Sequence, residues 1–175
     1  MARRENAAFA EFAMAQGRAL YRAAYLMVGD HALAEDLVQE ALTKTYVAWP
    51  RLRRTGNAEA YARKTITTTA ITWWRRRAWD AEKPRDDVPE IAVRDHSDRV
   101  SDQDAMWAEL QALPPRQRVA IVLRYYEDLT ERQTADAMGC AIGTVKSQVA
   151  AGLEKLRARL GPDSVPVTNE LGVTR

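Results

Sequence analysis

The sequence is poor in the residues that metal and thiol chemistry use. Among its 175 residues there is one cysteine, Cys140, and there are two histidines, His31 and His96. One thiol closes no internal disulfide, so a reducing, cytoplasmic setting is expected. The ligand spacing that zinc requires is absent, and the isolated histidines read as surface or capping residues. No Gly-rich phosphate loop and no catalytic set is visible, so no cofactor, metal or catalytic site is expected and the chain reads as a non-enzyme. No apolar run approaches the ~20 residues that span a bilayer. The opening Met1-Ala-Arg-Arg-Glu-Asn6 has no apolar segment behind its basic residues, so neither a secretory signal nor membrane insertion is expected.

Net charge is also small, +2, but it is unevenly spread. Residues 1–83 sum to +5, residues 84–100 to −2 and residues 101–175 to −1. Between Arg51 and Arg77, Arg51, Arg53, Arg54, Arg63, Lys64, Arg75, Arg76 and Arg77 face one acid, Glu59. Such a local excess is a footprint for a polyanion, or else a solvated basic face.

Residues 80–100 hold Pro84, Pro89 and many charges with little to bury, and read as a flexible linker. The tail over 162–175 also reads as loosely ordered. What remains is all-α: two small helical domains, 1–79 and 101–161. In the first, Phe9, Phe12, Ala13, Leu20, Ala24 and Met27 follow helical spacing, and Gly29-Asp30 ends that helix. Ala34, Leu37, Val38, Ala41, Leu42, Thr45, Tyr46 and Trp49 recur at three and four, with Pro50 as the expected stop. Asn57 is a candidate N-cap for a third helix, roughly Ala58 to Arg77. Thr65 to Thr72 is dense in β-branched residues and alone could pass for a strand, but Ala62, Ile66, Ala70 and Trp73 keep a helical stripe.

In the second domain Ser101 can cap a helix carrying Met106, Leu110 and Leu113. Pro115 suits the first turn of the next, which places Val119, Val122, Leu123 and Tyr126 on one face. Thr130-Glu-Arg-Gln133 has the form of a capping box. It opens a short helix that Gly139 ends, followed by a longer one with Ile142, Val145, Val149, Leu153, Leu156 and Leu160 as its apolar stripe. Short helix, tight turn and longer helix make a helix-turn-helix, with small Ala135 where the two backbones approach. Its second helix would present Thr144, Lys146, Ser147 and Gln148 to base edges in the major groove. The alternative is a helical hairpin that binds nothing.

Two stretches carry a resemblance. Leu113 to Thr130, Leu-Pro-Pro-Arg-Gln-Arg-Val-Ala-Ile-Val-Leu-Arg-Tyr-Tyr-Glu-Asp-Leu-Thr, with Ala135 to Ser147, resembles the sigma-4 domain of bacterial sigma factors. Ala34-Glu-Asp-Leu-Val-Gln-Glu-Ala-Leu-Thr-Lys-Thr-Tyr46 resembles the polymerase-binding helix of the sigma-2 domain. Ala60-Tyr61 through Trp73-Trp74-Arg-Arg-Arg77 resembles its promoter-melting helix. The likeness covers about residues 8–78 and 101–160, and is to extracytoplasmic-function (ECF) sigma factors of an actinobacterial, sigma-E-like subgroup.

That resemblance implies core RNA polymerase and promoter DNA as partners, and an anti-sigma factor as a further one. It implies a polymerase-binding face of Glu35, Asp36, Gln39, Glu40 and Thr43. It implies a −10 surface of Arg53, Arg54, Asn57, Arg63, Lys64, Thr68, Trp73, Trp74 and Arg75, with at least one tryptophan expected in the core. The −35 set is Arg118, Thr144, Lys146, Ser147 and Gln148. Departures are Thr68, where the family often has Asn, and Gln148 followed by Val149-Ala-Ala-Gly152, where it commonly repeats basic residues. Fewer phosphate contacts imply weaker duplex affinity, and Gly152 is expected to cost ~1 kcal/mol of helix stability. The competing readings are a stand-alone helix-turn-helix regulator on a palindromic site and an interaction module that binds no DNA.

Overall fold

The computed structural model describes residues 2–81 and 102–164, and all their regular structure is helical. Apart from its first two residues, the linker expected over 80–100 lies outside the described residues, as do His96, Ser101 and the tail beyond residue 164. The elements are α1 (Ala2–Val28), α2 (His31–Thr55), α3 (Ala58–Ala81), α4 (Asp102–Ala112), α5 (Pro115–Ile121), a π turn (Val122–Tyr126), α6 (Glu131–Met138), α7 (Ile142–Leu160) and a 3₁₀ turn (Pro162–Ser164).

Local chemistry sets the boundaries. Gly29 takes the left-handed conformation, φ 73°, that ends α1. The Asp30 carboxylate then accepts from the Leu33 amide at 2.7 Å and caps α2. Pro50 does not stop α2, contrary to the expectation: the helix runs on to Thr55. Pro50 and Tyr46 are both exposed, so the carbonyl that loses its partner is on the solvent side, while Trp49 and Leu52 bury the opposite side. Gly56, φ 69°, closes the helix. Before α3 it is the Asn57 carbonyl that accepts the Tyr61 amide, at 3.0 Å. The threonine-rich stretch is helix, as its surroundings imply. Thr65 and Thr68 donate to carbonyls of the preceding turn, Tyr61 and Lys64, at 2.9 and 2.8 Å. Burial of Thr65, Thr67, Ile66 and Ala70 outweighs a modest propensity cost.

In the second half the capping box forms, Gln133 amide to Thr130 Oγ1 and Thr130 amide to Gln133 Oε1. Gly139, φ 63°, ends α6. The helix begun at Pro115 departs from expectation at its end. The π turn widens the spiral, so Tyr126 is exposed and Tyr125 packs against the core instead.

The two helical halves do not sit apart. α3 packs on α6 and α5, and α1 packs on α4, α5 and the π turn. One apolar cluster runs from Leu20, Ala24 and Met27 through Ala62, Ile66 and Ala70 to Leu113, Val119, Leu123, Val145 and Leu153. At the seam Trp107 of α4 stacks on Tyr25 of α1, ring centroids 4.7 Å apart, and Tyr25 stacks on His31 at 4.2 Å.

Candidate nucleic-acid interface

The helix-turn-helix is built as its sequence implies. Thr134, Ala135, Ala137 and Met138 of α6 bury against Val145, Val149 and Leu153 of α7. Lys146 and Ser147 are exposed and Thr144 and Gln148 half-buried, so all four lie away from the core stripe near the start of α7. Among the described residues Lys146 Nζ has only a loose, exposed partner, Glu131 at 3.5 Å. Ala141 supplies no side-chain cap, which leaves the first amides of α7 available to a phosphate. Ile142, read as part of the stripe, is instead 42% exposed beside them, because it precedes the first turn that α6 covers.

Arg118 is not with this group, and its assignment to the −35 set is corrected. It is 4% exposed and points into the seam between the halves. Nη1 donates to Met27 O at 3.1 Å and Gln111 Oε1 at 2.9 Å; Nη2 donates to Gln111 O at 2.7 Å and Leu113 O at 3.1 Å. These carbonyls end α1 and α4, where helix carbonyls lack partners of their own and the dipoles favour a cation. Gln111 completes the cap, donating from Nε2 to Leu26 O at 3.0 Å. Gly29 leaves room for it, since a Cβ there would come within 2.4 Å of Gln111 Oε1. Burial pushes the Arg118 guanidinium down to about 10, so it stays charged at neutral pH.

The basic segment forms the corner between α2 and α3. Arg53, Arg54, Asn57 and Lys64 are exposed there, and Arg75 is exposed toward the far end of α3. Thr68 is half-buried with its hydroxyl turned to the backbone of its own helix. Arg63 is held by Glu59 at 2.5 Å and, from across the seam, by Glu127 at 2.8 Å. Trp73 and Trp74 meet edge to face at 4.6 Å, both half-buried. Arg77 lies 5.3 Å over Trp73, and Arg118 lies 5.1 Å over Trp74. The Trp74 indole nitrogen is buried without a partner among the described residues. Neither tryptophan joins the apolar core, contrary to the expectation for one of the pair: both are half-buried, and Arg118 covers Trp74. Between this corner and α6 runs a cleft of about 490 Å³, with Arg51, Asn57, Tyr61 and Lys64 on one wall and Gln133 and Asp136 on the other.

The acidic face of α2 is open. Glu35, Asp36, Gln39 and Thr43 are exposed, and Glu40 pairs with Lys44 at 2.6 Å within the helix. Val47, 77% exposed, continues this face one turn past Thr43. Sequence reading missed it, although an apolar residue four places beyond Thr43 was a usable signal. It also missed Gln111 and Glu127, whose partners lie 85 and 64 residues away in the chain.

Among the described residues no helix is long and apolar enough to cross a membrane, and no group of three or more His, Cys, Asp or Glu side chains could hold a metal ion.

Comparison with known proteins matches two families in chain order. Residues 12–80 match sigma-70 region 2, and residues 103–156 match sigma-70, region 4. The RNA polymerase sigma-E factor of Streptomyces avermitilis is 36% identical over 160 residues, 91% of this chain and 89% of that protein. The ECF RNA polymerase sigma factor SigL of Mycobacterium tuberculosis is 32% identical over 188 residues, covering both chains fully. The sigma factor RpoE of Bartonella quintana, solved in complex with the anti-sigma factor NepR, superposes with a TM-score of 0.70 at 25% identity, covering 89% of this chain and 98% of that one.

Proposed function

The chain belongs to the extracytoplasmic-function group of RNA polymerase sigma factors, and on that premise we propose how its surfaces divide the work of initiation. As a sigma factor it binds core RNA polymerase and directs promoter-specific initiation; the catalysis belongs to the polymerase, and its place of work is the cytoplasm, where promoter and polymerase meet. Membership in this family displaces the stand-alone regulator and the DNA-free interaction module. Residues 1–79 serve as the polymerase-binding and −10 domain, and residues 101–161 as the −35 domain.

The acidic α2 face, Glu35, Asp36, Gln39, Glu40 and Thr43, docks on a basic helical surface of the core enzyme. Opposite charge there steers encounter and fixes register. The α2–α3 corner holds the −10 strand. Arg53, Arg54, Arg63 and Lys64 there, and Arg75 farther along α3, meet backbone phosphates, whose neutralisation releases counterions. Asn57 is exposed at a turn where Gly56 carries no side chain, so an unstacked base can approach the backbone and bond the Asn57 amide. Trp73 and, once uncovered, Trp74 offer aromatic faces at the far end of α3. Thr144, Lys146, Ser147 and Gln148 enter the −35 major groove, with the α7 amides on a phosphate. An anti-sigma factor, as seen with the Bartonella relative, is the matching regulator.

The observation that carries this division is the pairing of an open acidic helix face with a basic corner inside the region 2 match. The test is binding of holoenzyme to a fork-junction template whose −10 non-template strand is single-stranded. Asn57→Ala is expected to weaken it by ~1–3 kcal/mol, the range for a side-chain amide paired with one base edge. Unchanged binding by Asn57→Ala would remove Asn57 from the site.

A further inference from the structure

We infer that Trp79, flanked by Arg75 and Arg76, forms a further DNA contact that grips the double-stranded promoter just upstream of the −10 element. The inference rests on the −10 assignment above and extends it to a stretch of duplex that the −10 and −35 surfaces leave uncovered. Trp79 lies in the last turn of α3 and is 69% exposed, and among the described residues it belongs to neither apolar cluster. A single exposed aromatic is ordinary on a protein surface. Its surroundings set this one apart. Arg75 and Arg76 stand four and three residues before it, hence beside it on the helix surface, and both are exposed. With Asp80 these three residues line a shallow cleft of about 480 Å³, two arginines against one aspartate.

The cleft continues the −10 surface. Lys64, Thr68, Arg75 and Trp79 follow one another at helical spacing and so share one face of α3. α3 ends where the chain leaves for the −35 domain, so its far end faces the upstream side. At a rise of about 1.5 Å per residue Trp79 lies about 9 Å beyond Trp73, roughly three base steps. Trp73 and Trp74 are the last aromatic faces given to the unpaired strand, so Trp79 meets bases that are still paired. Stacked pairs offer no free ring face. The indole therefore packs on the sugar edge of the groove, while Arg75 and Arg76 hold phosphates on either side of it, a contact that positions the duplex without reading its sequence. The carbonyls that end α3 repel phosphates, so the arginines one turn back carry the charge contact. A polymerase partner fits less well: α2 offers the core enzyme acids, and the charge here has the opposite sign.

The test compares holoenzyme binding to two fork-junction templates that lack a −35 element. One ends its duplex at the upstream edge of the −10 element; the other carries about six more base pairs, reaching ~20 Å past that edge. Trp79→Ala is expected to weaken binding to the longer template about fivefold, what partial burial of a large apolar side chain is worth, and to the shorter one by less than about twofold. Trp79→Phe keeps a ring and should recover most of the loss. Arg76→Ala should lower the salt slope by about 0.9 on the longer template alone. Because the ring is exposed, the melting temperature of Trp79→Ala should stay within about a degree of wild type. Equal loss on both templates, or no loss on the longer one, overturns the inference. So does a drop in affinity for core polymerase, which would make Trp79 a protein contact. Asn57→Ala separates the two claims: if it weakens both templates while Trp79→Ala weakens neither, the −10 assignment stands and the upstream contact falls. If only Trp79→Ala acts, and on the longer template alone, the upstream contact stands without Asn57.

Discussion

Replacing Arg118 by alanine tests the way the two halves are joined. The guanidinium makes four hydrogen bonds of 2.7–3.1 Å, three to backbone carbonyls that end α1 and α4 or follow α4, and one to Gln111 Oε1. Bonds from a charged donor are worth ~1.5–3 kcal/mol each, so the gross contribution is on the order of 6–12 kcal/mol. Against this, holding the charge inside costs on the order of 3 kcal/mol, judged from a pKa depressed from 12.5 to about 10. Alanine removes that cost but strands acceptors that water reaches only in part. The expected loss is about 3–5 kcal/mol, the range for breaking a buried charged cluster from one side. That is a large share of an ordinary folding free energy. Arg118→Met separates bonding from bulk, since it fills the seam without capping either helix and should lose nearly as much. The assay is urea unfolding followed by tryptophan fluorescence and far-UV circular dichroism. Trp74 and Trp107 lie at the seam, so in both variants the fluorescence transition should precede the loss of helix. If Arg118→Ala and Arg118→Met unfold at the wild-type midpoint, the shared helix cap is not what holds the halves together.

Three further outcomes follow from single positions. Asp36→Arg puts the wrong sign at the centre of the open α2 face, and core polymerase binding should fall about tenfold in a titration; equal affinity would count against that face. Lys146→Ala should leave the melting temperature within about a degree, because its pair with Glu131 is exposed and long. It should weaken −35 duplex binding and lower the salt slope by about 0.9 while sparing single-stranded −10 binding; equal loss on both would contradict the division of labour. Gly152→Ala should lower the melting temperature although alanine is the better helix former by ~1 kcal/mol. A Cβ there would stand 2.5 Å from Ile121 Cδ1 and 3.4 Å from Gln117 Cβ, an overpacking cost of ~1–3 kcal/mol; a rise would show that Ile121 moves aside freely.

That last case marks a limit of reading helices from sequence alone. Gly152 looks like a propensity defect along one dimension and is a close-contact site between α5 and α7 in three. What was legible is local: the periods of α1, α2 and α7, the capping box at Thr130, and the glycines at 29 and 139 that need positive φ. Pro50 was misread because a proline is judged by its chain neighbours, whereas its effect depends on whether the abandoned carbonyl can reach water. Tyr126 was misread because a π turn shifts the facing of residues by an amount that period counting does not include. Arg118 lies within a stretch that resembles a DNA-binding domain, yet Met27, the partner that decides its role, is 91 residues earlier. Long-range polar contacts leave no periodic trace, so the buried arginine, Gln111 and Glu127 became visible only once the halves were seen packed together.

The central claim is that this chain confers promoter specificity on core polymerase. Run-off transcription from a pool of genomic promoter fragments, with purified core enzyme alone and with the chain added, tests it directly. Discrete transcripts with defined start sites should appear only when both are present, and with Asp36→Arg should need about tenfold more of the chain. A folded, inhibitor-free preparation that leaves core enzyme with no new start site at any promoter in the pool would contradict it.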